Sequence, residues 1–190
     1  EGRRVAGMSR AYKHNGQRTD AVATVPAVDF AVVEIDASAV ERLREPALAL
    51  HRHEIAVQPD LADAPARADK PYWELYSSRF ADWISAGNGF CLVAERPGGE
   101  VLGFVFCVER EGLAAYETGP AIGYVEEIAV IESARMLGVG RALMDAARIE
   151  FKARGYSHFE LSTVPGNEDA RSFYERLGMQ RAAVLMLGEV

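Results

Sequence analysis

The stretch Arg135-Met136-Leu137-Gly138-Val139-Gly140-Arg141 lies between a strand pattern over residues 123–131 and a helical pattern over 139–154 that stops at Gly155. A strand that turns at once into a long amphipathic helix must lay that helix back on a sheet, which commits the chain to an α/β architecture. The turn also carries chemistry. The first N–H groups of a helix have no intrahelical partner and together present about half a unit of positive charge. Glycines there let an anion approach the backbone, and Arg135 and Arg141 can add charge-assisted hydrogen bonds. The Gly-Lys-Ser/Thr ending of a nucleoside-triphosphatase loop is absent, as is the glycine fingerprint of dinucleotide folds. Taken alone, the turn reads equally as an anion cradle or as a plain strand-to-helix connection.

The flanking patterns supply the other elements. Residues 29–35 read as a strand, Ser38 with Glu41 as a capping box, and Val40, Leu43, Ala47 and Leu50 as the apolar stripe of a helix that Pro46 should kink. Residues 57–70 read as a loop, and Pro71 suits the first turn of a second helix. Tyr72, Leu75, Tyr76, Phe80, Trp83 and Ile84 share one stripe of that helix, which ends at Gly87-Asn88-Gly89. Such a stripe is mostly core; the less common use is that Tyr72, Trp73 or Tyr76 lines an acceptor pocket. Strands over 90–95 and 101–109 flank the hairpin turn Arg96-Pro97-Gly98-Gly99-Glu100. A strand over 158–164, a short helix over 168–177 capped by Gly178, and an apolar strand over 182–187 complete the pattern. At 190 residues this is one domain, residues 29–190, behind an aperiodic arm, residues 1–28, expected to be mobile, with Met8 a candidate native start.

Charge narrows the choice of partner. The formal net charge is −7, and residues 29–190 carry 16 Lys/Arg against 26 Asp/Glu. An acidic body disfavours nucleic acid and anionic membranes and slightly favours cations such as amines. No apolar run reaches the ~18 residues that cross a bilayer, and the basic N-terminus lacks the apolar region of a signal peptide, so a cytoplasmic protein with no membrane partner is expected. Cys91 and Cys107 fall in apolar strand patterns and read as buried structural thiols. His51 and His53, two apart on a helix, point to different faces with no Cys or Asp to complete a site, so no metal is expected.

A second motif resolves the ambiguity of the glycine turn. Asn167-x-x-Ala170-x-x-Phe173-Tyr174 followed by Leu177-Gly178-Met179, together with Arg135-x-x-Gly138-x-Gly140 behind Ile128-Ala129-Val130, resembles the two signatures of the GNAT superfamily of acyl-CoA-dependent N-acetyltransferases. The resemblance implies an α/β (α+β) fold with a mixed, mostly antiparallel sheet, helices on both faces, and fourth and fifth strands that splay apart. It implies acetyl-CoA as the acyl donor, with the pantetheine arm in the splay against the backbone of Ile128, Ala129 and Val130. The diphosphate would lie on Arg135, Met136, Leu137, Gly138, Val139, Gly140 and Arg141, and the closing segment would contribute Asn167, Ala170, Phe173 and Tyr174. Two positions depart from the pattern: Glu132 stands where a proline is usual and Met179 where a phenylalanine is. Neither removes a polar group that the cofactor needs. Members of the superfamily are often dimers, so a homodimer is the state that analogy suggests, while the sequence itself leaves the oligomeric state open.

Transfer of acetyl to an amine of pKa ~10 requires a base, because such an amine is protonated at neutral pH. Glu126 and Glu127 are adjacent, so in a regular strand they face opposite sides and only one can serve. The segment 124–130 is similar to that of polyamine and aminoglycoside acetyltransferases, which favours Glu126; a solvated strand carboxylate is the alternative. Tyr174 shares a helix face with Ala170, Phe173 and Leu177 and can bring a phenol toward the thioester sulfur as proton donor, or can simply pack. Asn167 can cap the short helix or contact the pantetheine arm. A backbone N–H of Ile128 or Val130 would serve the oxyanion. The expected activity is direct acetyl transfer to a primary amine of a small molecule or peptide. The rival readings are a non-catalytic acyl-CoA sensor and an enzyme acting on protein N-termini.

Overall fold

The computed structural model describes residues 29–58 and 64–187, so the arm expected over 1–28 lies outside the described residues. Strand β1 (Ala31–Ile35) leads through a 3-10 turn (Ala37–Leu43) into α1 (Arg44–Val57) and then α2 (Asp69–Ala86). Three strands follow, β2 (Gly89–Glu95), β3 (Val101–Glu111) and β4 (Ala121–Val130), then α3 (Val139–Ala153), β5 (Phe159–Leu161) and α4 (Glu168–Arg176). The sheet order is β1-β2-β3-β4-β5, antiparallel throughout except that β4 and β5 run parallel.

Each face of the sheet has its own core. On one face α1 and α2 cover Phe104 and Phe106, with Phe80 stacked on Phe106 at 4.0 Å between centroids. On the other, Leu143, Met144, Ala147 and Phe151 of α3 cover Leu92, Val105 and Val125. Side chains of this size contribute about 1.5–3 kcal/mol each when fully buried, so the two layers hold the sheet from both sides.

Local chemistry departs from the sequence reading in four places. The chain enters the first helical segment on Asp36, whose carboxylate accepts from the Ser38 N–H at 2.9 Å and the Ser38 hydroxyl at 2.6 Å. Glu41 instead accepts from the indole of Trp73 at 3.1 Å, so the Ser38/Glu41 box does not form. Pro46 produces no kink, because the 3-10 turn hands over to α1 at Arg44 and places the proline in a first turn, where its missing N–H is not needed. The strand expected over 182–187 is absent: Val184, Leu185 and Met186 are more than four-fifths exposed. A strand exists only by pairing, and no described strand offers this apolar run a ladder. Leu75 also leaves the α2 stripe, at 40% exposure. No helix among the described residues is long and apolar enough to cross a membrane.

β4 and β5 pair only from Gly123 with Phe159 to Val125 with Leu161. Beyond that point β4 continues to Val130 without a neighbour on that edge, and the two strands part.

Candidate active site

At one side of the opening α3 begins on Gly138, which has φ 84 and no side-chain cap. A Cβ built there would meet no atom within 4 Å, so glycine is required by the left-handed backbone and not by crowding. Met136 also has positive φ, 60, and its side chain is 98% exposed. Left-handed residues at 136 and 138 curl the backbone so that successive N–H groups can converge on an anion. Arg135 and Arg141 are exposed and have no ion-pair partner among the described residues. Leu137 is half-buried, Val139 is buried in the α3 core, and the Cβ position of Gly140 lies 3.4 Å from Phe173. Uncapped N–H groups, free guanidinium groups and open space together fit the diphosphate of an acyl-CoA.

The β4 edge adds a second set of donors. The Ile131 N–H donates to Leu102 of β3 at 2.9 Å. Alternation along the strand then turns the N–H groups of Val130 and Ile128 toward the edge where β5 has departed, while Ala129 faces β3. Across the opening, Asn167 caps α4 by accepting from the Ala170 N–H at 3.1 Å through Oδ1, so its amide NH₂ takes no part in the cap. Phe173 packs into the α3 core, and Tyr174, next to it, is half-buried.

The other side of the opening is lined with carboxyls. Phe106 pairs with Glu127 but Cys107 pairs with Val125, leaving Glu126 without a partner on β3. This β-bulge cancels the alternation that would have sent the two glutamates to opposite faces. Both reach α2: Glu127 Oε1 accepts from the Tyr72 hydroxyl at 2.8 Å, and Glu126 Oε1 lies 4.0 Å from Arg79. The expectation that only one of them faces this side is therefore corrected. Glu126 is also held by Arg110 at 3.5 Å, whose guanidinium lies over the Tyr124 ring.

Glu127 has a different environment. It is 9% exposed, and its Oε2 has no hydrogen-bond partner among the described residues. Burial pushes its carboxyl up to about 8, the Tyr72 hydrogen bond opposes this, and the charges of Glu54 and Glu126 add to it. Burial and the Glu127 charge raise the Tyr72 phenol, and Tyr76, 4.4 Å from Tyr72 between centroids, is raised to about 12 mainly by burial. Tyr174 is raised by burial and then by Glu54. The His51 ring stacks on Tyr72 at 3.8 Å, and its Nε2 lies 2.7 Å from the Arg67 carbonyl oxygen.

Glu54 of α1 is the residue that sequence reasoning passed over. It lies four residues beyond Leu50 and seven beyond Ala47, so it continues the buried stripe of α1 with a carboxylate, and that mismatch was the available signal. Among the described residues no group of three or more His, Cys, Asp or Glu side chains could hold a metal ion.

Comparison with known proteins agrees with this architecture. Over 117 residues the chain is 31% identical to a mycothiol acetyltransferase of Arthrobacter sp. (strain FB24), covering 62% of this chain and 35% of that protein. Over 95 residues it is 33% identical to an L-2,4-diaminobutyric acid acetyltransferase of Bordetella parapertussis, covering 49% of this chain and 47% of that protein. The matches thus span less than half the length of these curated relatives. A crystal structure of a GCN5-related N-acetyltransferase from Ralstonia eutropha JMP134 superposes with a TM-score of 0.68 at 20% identity, covering 85% of this chain and 99% of that one. The model of the acetyltransferase (GNAT) family matches residues 45–179, and the chain belongs to that family.

Proposed function

We propose that the chain transfers acetyl from acetyl-CoA to a primary amine by direct transfer, with Glu127 as proton acceptor and Tyr174 as proton donor. The donor supplies an activated thioester, and the chain's residues orient it and move protons. The observation that carries this reading is the buried, half-partnered Glu127 carboxyl at about 8. An ordinary carboxylate is a poor match for an amine of pKa ~10, and a raised one narrows the gap. An entering ammonium also favours the ionised carboxylate, so substrate binding itself readies the base.

In the balanced step, the ammonium gives one proton to Glu127, the amine nitrogen forms a bond to the acyl carbon, and the carbon–sulfur bond breaks. The departing sulfur takes a proton from the Tyr174 hydroxyl. The nitrogen's surplus proton leaves to solvent and the proton held by Glu127 passes to the Tyr174 phenolate, so both side chains are restored and the products are an N-acetyl amine, the free thiol of CoA and one proton. N–H groups of Ile128 or Val130 serve the developing oxyanion. Glu126, matched by two arginines, holds the shape of the bulge in this scheme; this differs from its sequence-based assignment as the base.

The reading is tested by following free-thiol release from acetyl-CoA over a panel of amines, with Tyr174→Phe as the paired variant. The variant is expected to lose roughly 10²- to 10⁴-fold in kcat while its affinity for acetyl-CoA stays near that of the wild type. A loss below about fivefold would return Tyr174 to a packing role. Acetyl-CoA binding without thiol release from any amine or N-terminal peptide would establish a sensor.

A further inference from the structure

The two oxygens of the buried Glu127 carboxyl are not equivalent. Oε1 accepts from the Tyr72 hydroxyl at 2.8 Å, whereas Oε2 has no hydrogen-bond partner among the described residues. A donor fixed on one oxygen holds the side chain in place and leaves the lone pairs of the other for an incoming proton. Tyr72 has no role in the transfer step above, yet its hydroxyl is bonded to the base.

The phenol is itself clamped. The His51 ring of α1 lies on the Tyr72 ring at 3.8 Å between centroids and 8° from parallel, and the Tyr76 ring stacks against it at 4.4 Å. His51 is fixed in turn, because its Nε2 lies 2.7 Å from the Arg67 carbonyl oxygen. A carbonyl can only accept, so Nε2 is the nitrogen that carries hydrogen. Tyr72, Tyr76 and Phe80 recur every four residues along α2 and therefore share a face. Tyr76 meets Phe80 edge-on at 5.7 Å, and Phe80 stacks on Phe106, the β3 residue that pairs with Glu127. One ladder of rings thus reaches Glu127 twice, at its side chain through the Tyr72 hydroxyl and at its backbone through Phe106.

Resting on the amine-acetylation reading above, we propose that Tyr72, held by this ladder, is the positioning residue of the base: it secures Oε1 so that Oε2 is the oxygen that takes the amine's proton. The hydrogen bond also favours the ionised carboxylate and so works against the burial that pushes Glu127 up. The other titratable or charged groups around Glu127 and Tyr72 are Tyr76 and Arg79 of α2, His51 and Glu54 of α1, Glu126 of β4 and the Cys91 thiol of β2, while Arg110 of β3 reaches Glu126. None of them donates a hydrogen bond to Glu127 among the described residues. Without the phenol the base would keep its proton to higher pH. Tyr72 keeps its own proton throughout, since burial and the Glu127 charge both raise it, and it takes no part in the bond changes.

The experiment records kcat/KM against pH with one amine throughout, so that the acceptor's own titration is common to every profile. In parallel it follows the Glu127 carboxyl by carbon-13 NMR in the CoA-saturated protein, the resonance being assigned by its absence in Glu127→Gln. Tyr72→Phe keeps the ring and removes the donor. Its low-pH limb and its Glu127 titration should both move up by about one pH unit or more, with kcat/KM down about tenfold at neutral pH and partly restored at higher pH. Replacing Tyr72 with 3-fluorotyrosine, whose more acidic hydroxyl donates more strongly, should move both midpoints down. His51→Ala, which keeps the phenol and frees its ring, should move them up by less than Tyr72→Phe does. A packing role would instead lower kcat or Tm and leave both midpoints in place. Midpoints unmoved in folded Tyr72→Phe, in the 3-fluorotyrosine protein or in His51→Ala overturn the proposal, and so does a downward shift in Tyr72→Phe. The NMR measurement needs no turnover, so a failure of the amine-acetylation reading shows separately, as CoA thiol that no amine releases.

Discussion

The turn at the start of α3 and the cluster of carboxyls and phenols beneath α1 and α2 are built from different parts. The turn uses backbone: uncapped N–H groups, left-handed residues at 136 and 138, and guanidinium groups in solvent. All of it lies within seven consecutive residues. The cluster uses side chains from α1, α2 and β4, and it depends on burial to shift carboxyls and phenols away from their solution behaviour. A backbone site offers a fixed charge to a fixed anion, whereas a side-chain site can take up and release protons. That division suits a cleft in which one ligand must be held and the other must be deprotonated.

The comparison can be broken most sharply at β4. If burial is what makes a base, Glu127→Gln should cost about 10²-fold or more in kcat/KM at neutral pH and recover partly at higher pH, where more free amine exists. Glu126→Gln, at a carboxylate already matched by Arg79 and Arg110, should cost under about tenfold. Steady-state kinetics from pH 6.5 to 9.5 would read both, and a larger loss for Glu126→Gln would reverse the assignment.

The backbone half is probed at Gly138. Valine there must adopt φ near 84 or distort the turn, and a left-handed conformation costs a β-branched residue 1–2 kcal/mol or more. Acetyl-CoA affinity should fall about tenfold or more by calorimetry, since about 1.4 kcal/mol corresponds to tenfold. Unchanged affinity in a folded variant would show that the nest geometry is not what holds the ligand.

The smallest expected effect is on stability. Glu127 has a folded pKa raised from 4.5 to about 8. The native state therefore binds more protons than the unfolded chain between those values, and unfolding becomes easier as pH rises through that window. The stability that Glu127 contributes is fully present below about 4.5 and is lost by about 8. Glu127→Gln removes this titration, so the Tm difference between variant and wild type should shift in the variant's favour from pH 5 to pH 8.5. A difference independent of pH would mean that Glu127 is not buried as described.

How much of this was legible beforehand follows the same division. The glycine turn, the Asn167 cap and the order of elements up to α4 were readable because each depends on residues close in sequence. The bulge was not readable: nothing in Val125-Glu126-Glu127-Ile128 announces that Cys107 will pair with Val125 while Phe106 pairs with Glu127. Nor was the fate of residues 182–187, whose apolar composition suits a strand but which find no partner.

The sequence by itself determined the α/β class, the glycine turn that opens α3 and the presence of Tyr174 on a short helix. Local conformational preference and hydrophobic period act over a few residues and do not need the rest of the chain. Tertiary structure alone decided which glutamate is buried and that the Tyr72 hydroxyl donates to it. Register and burial are set by strands and helices packing across dozens of intervening residues, and the proton affinity of a carboxyl depends on what surrounds it in space.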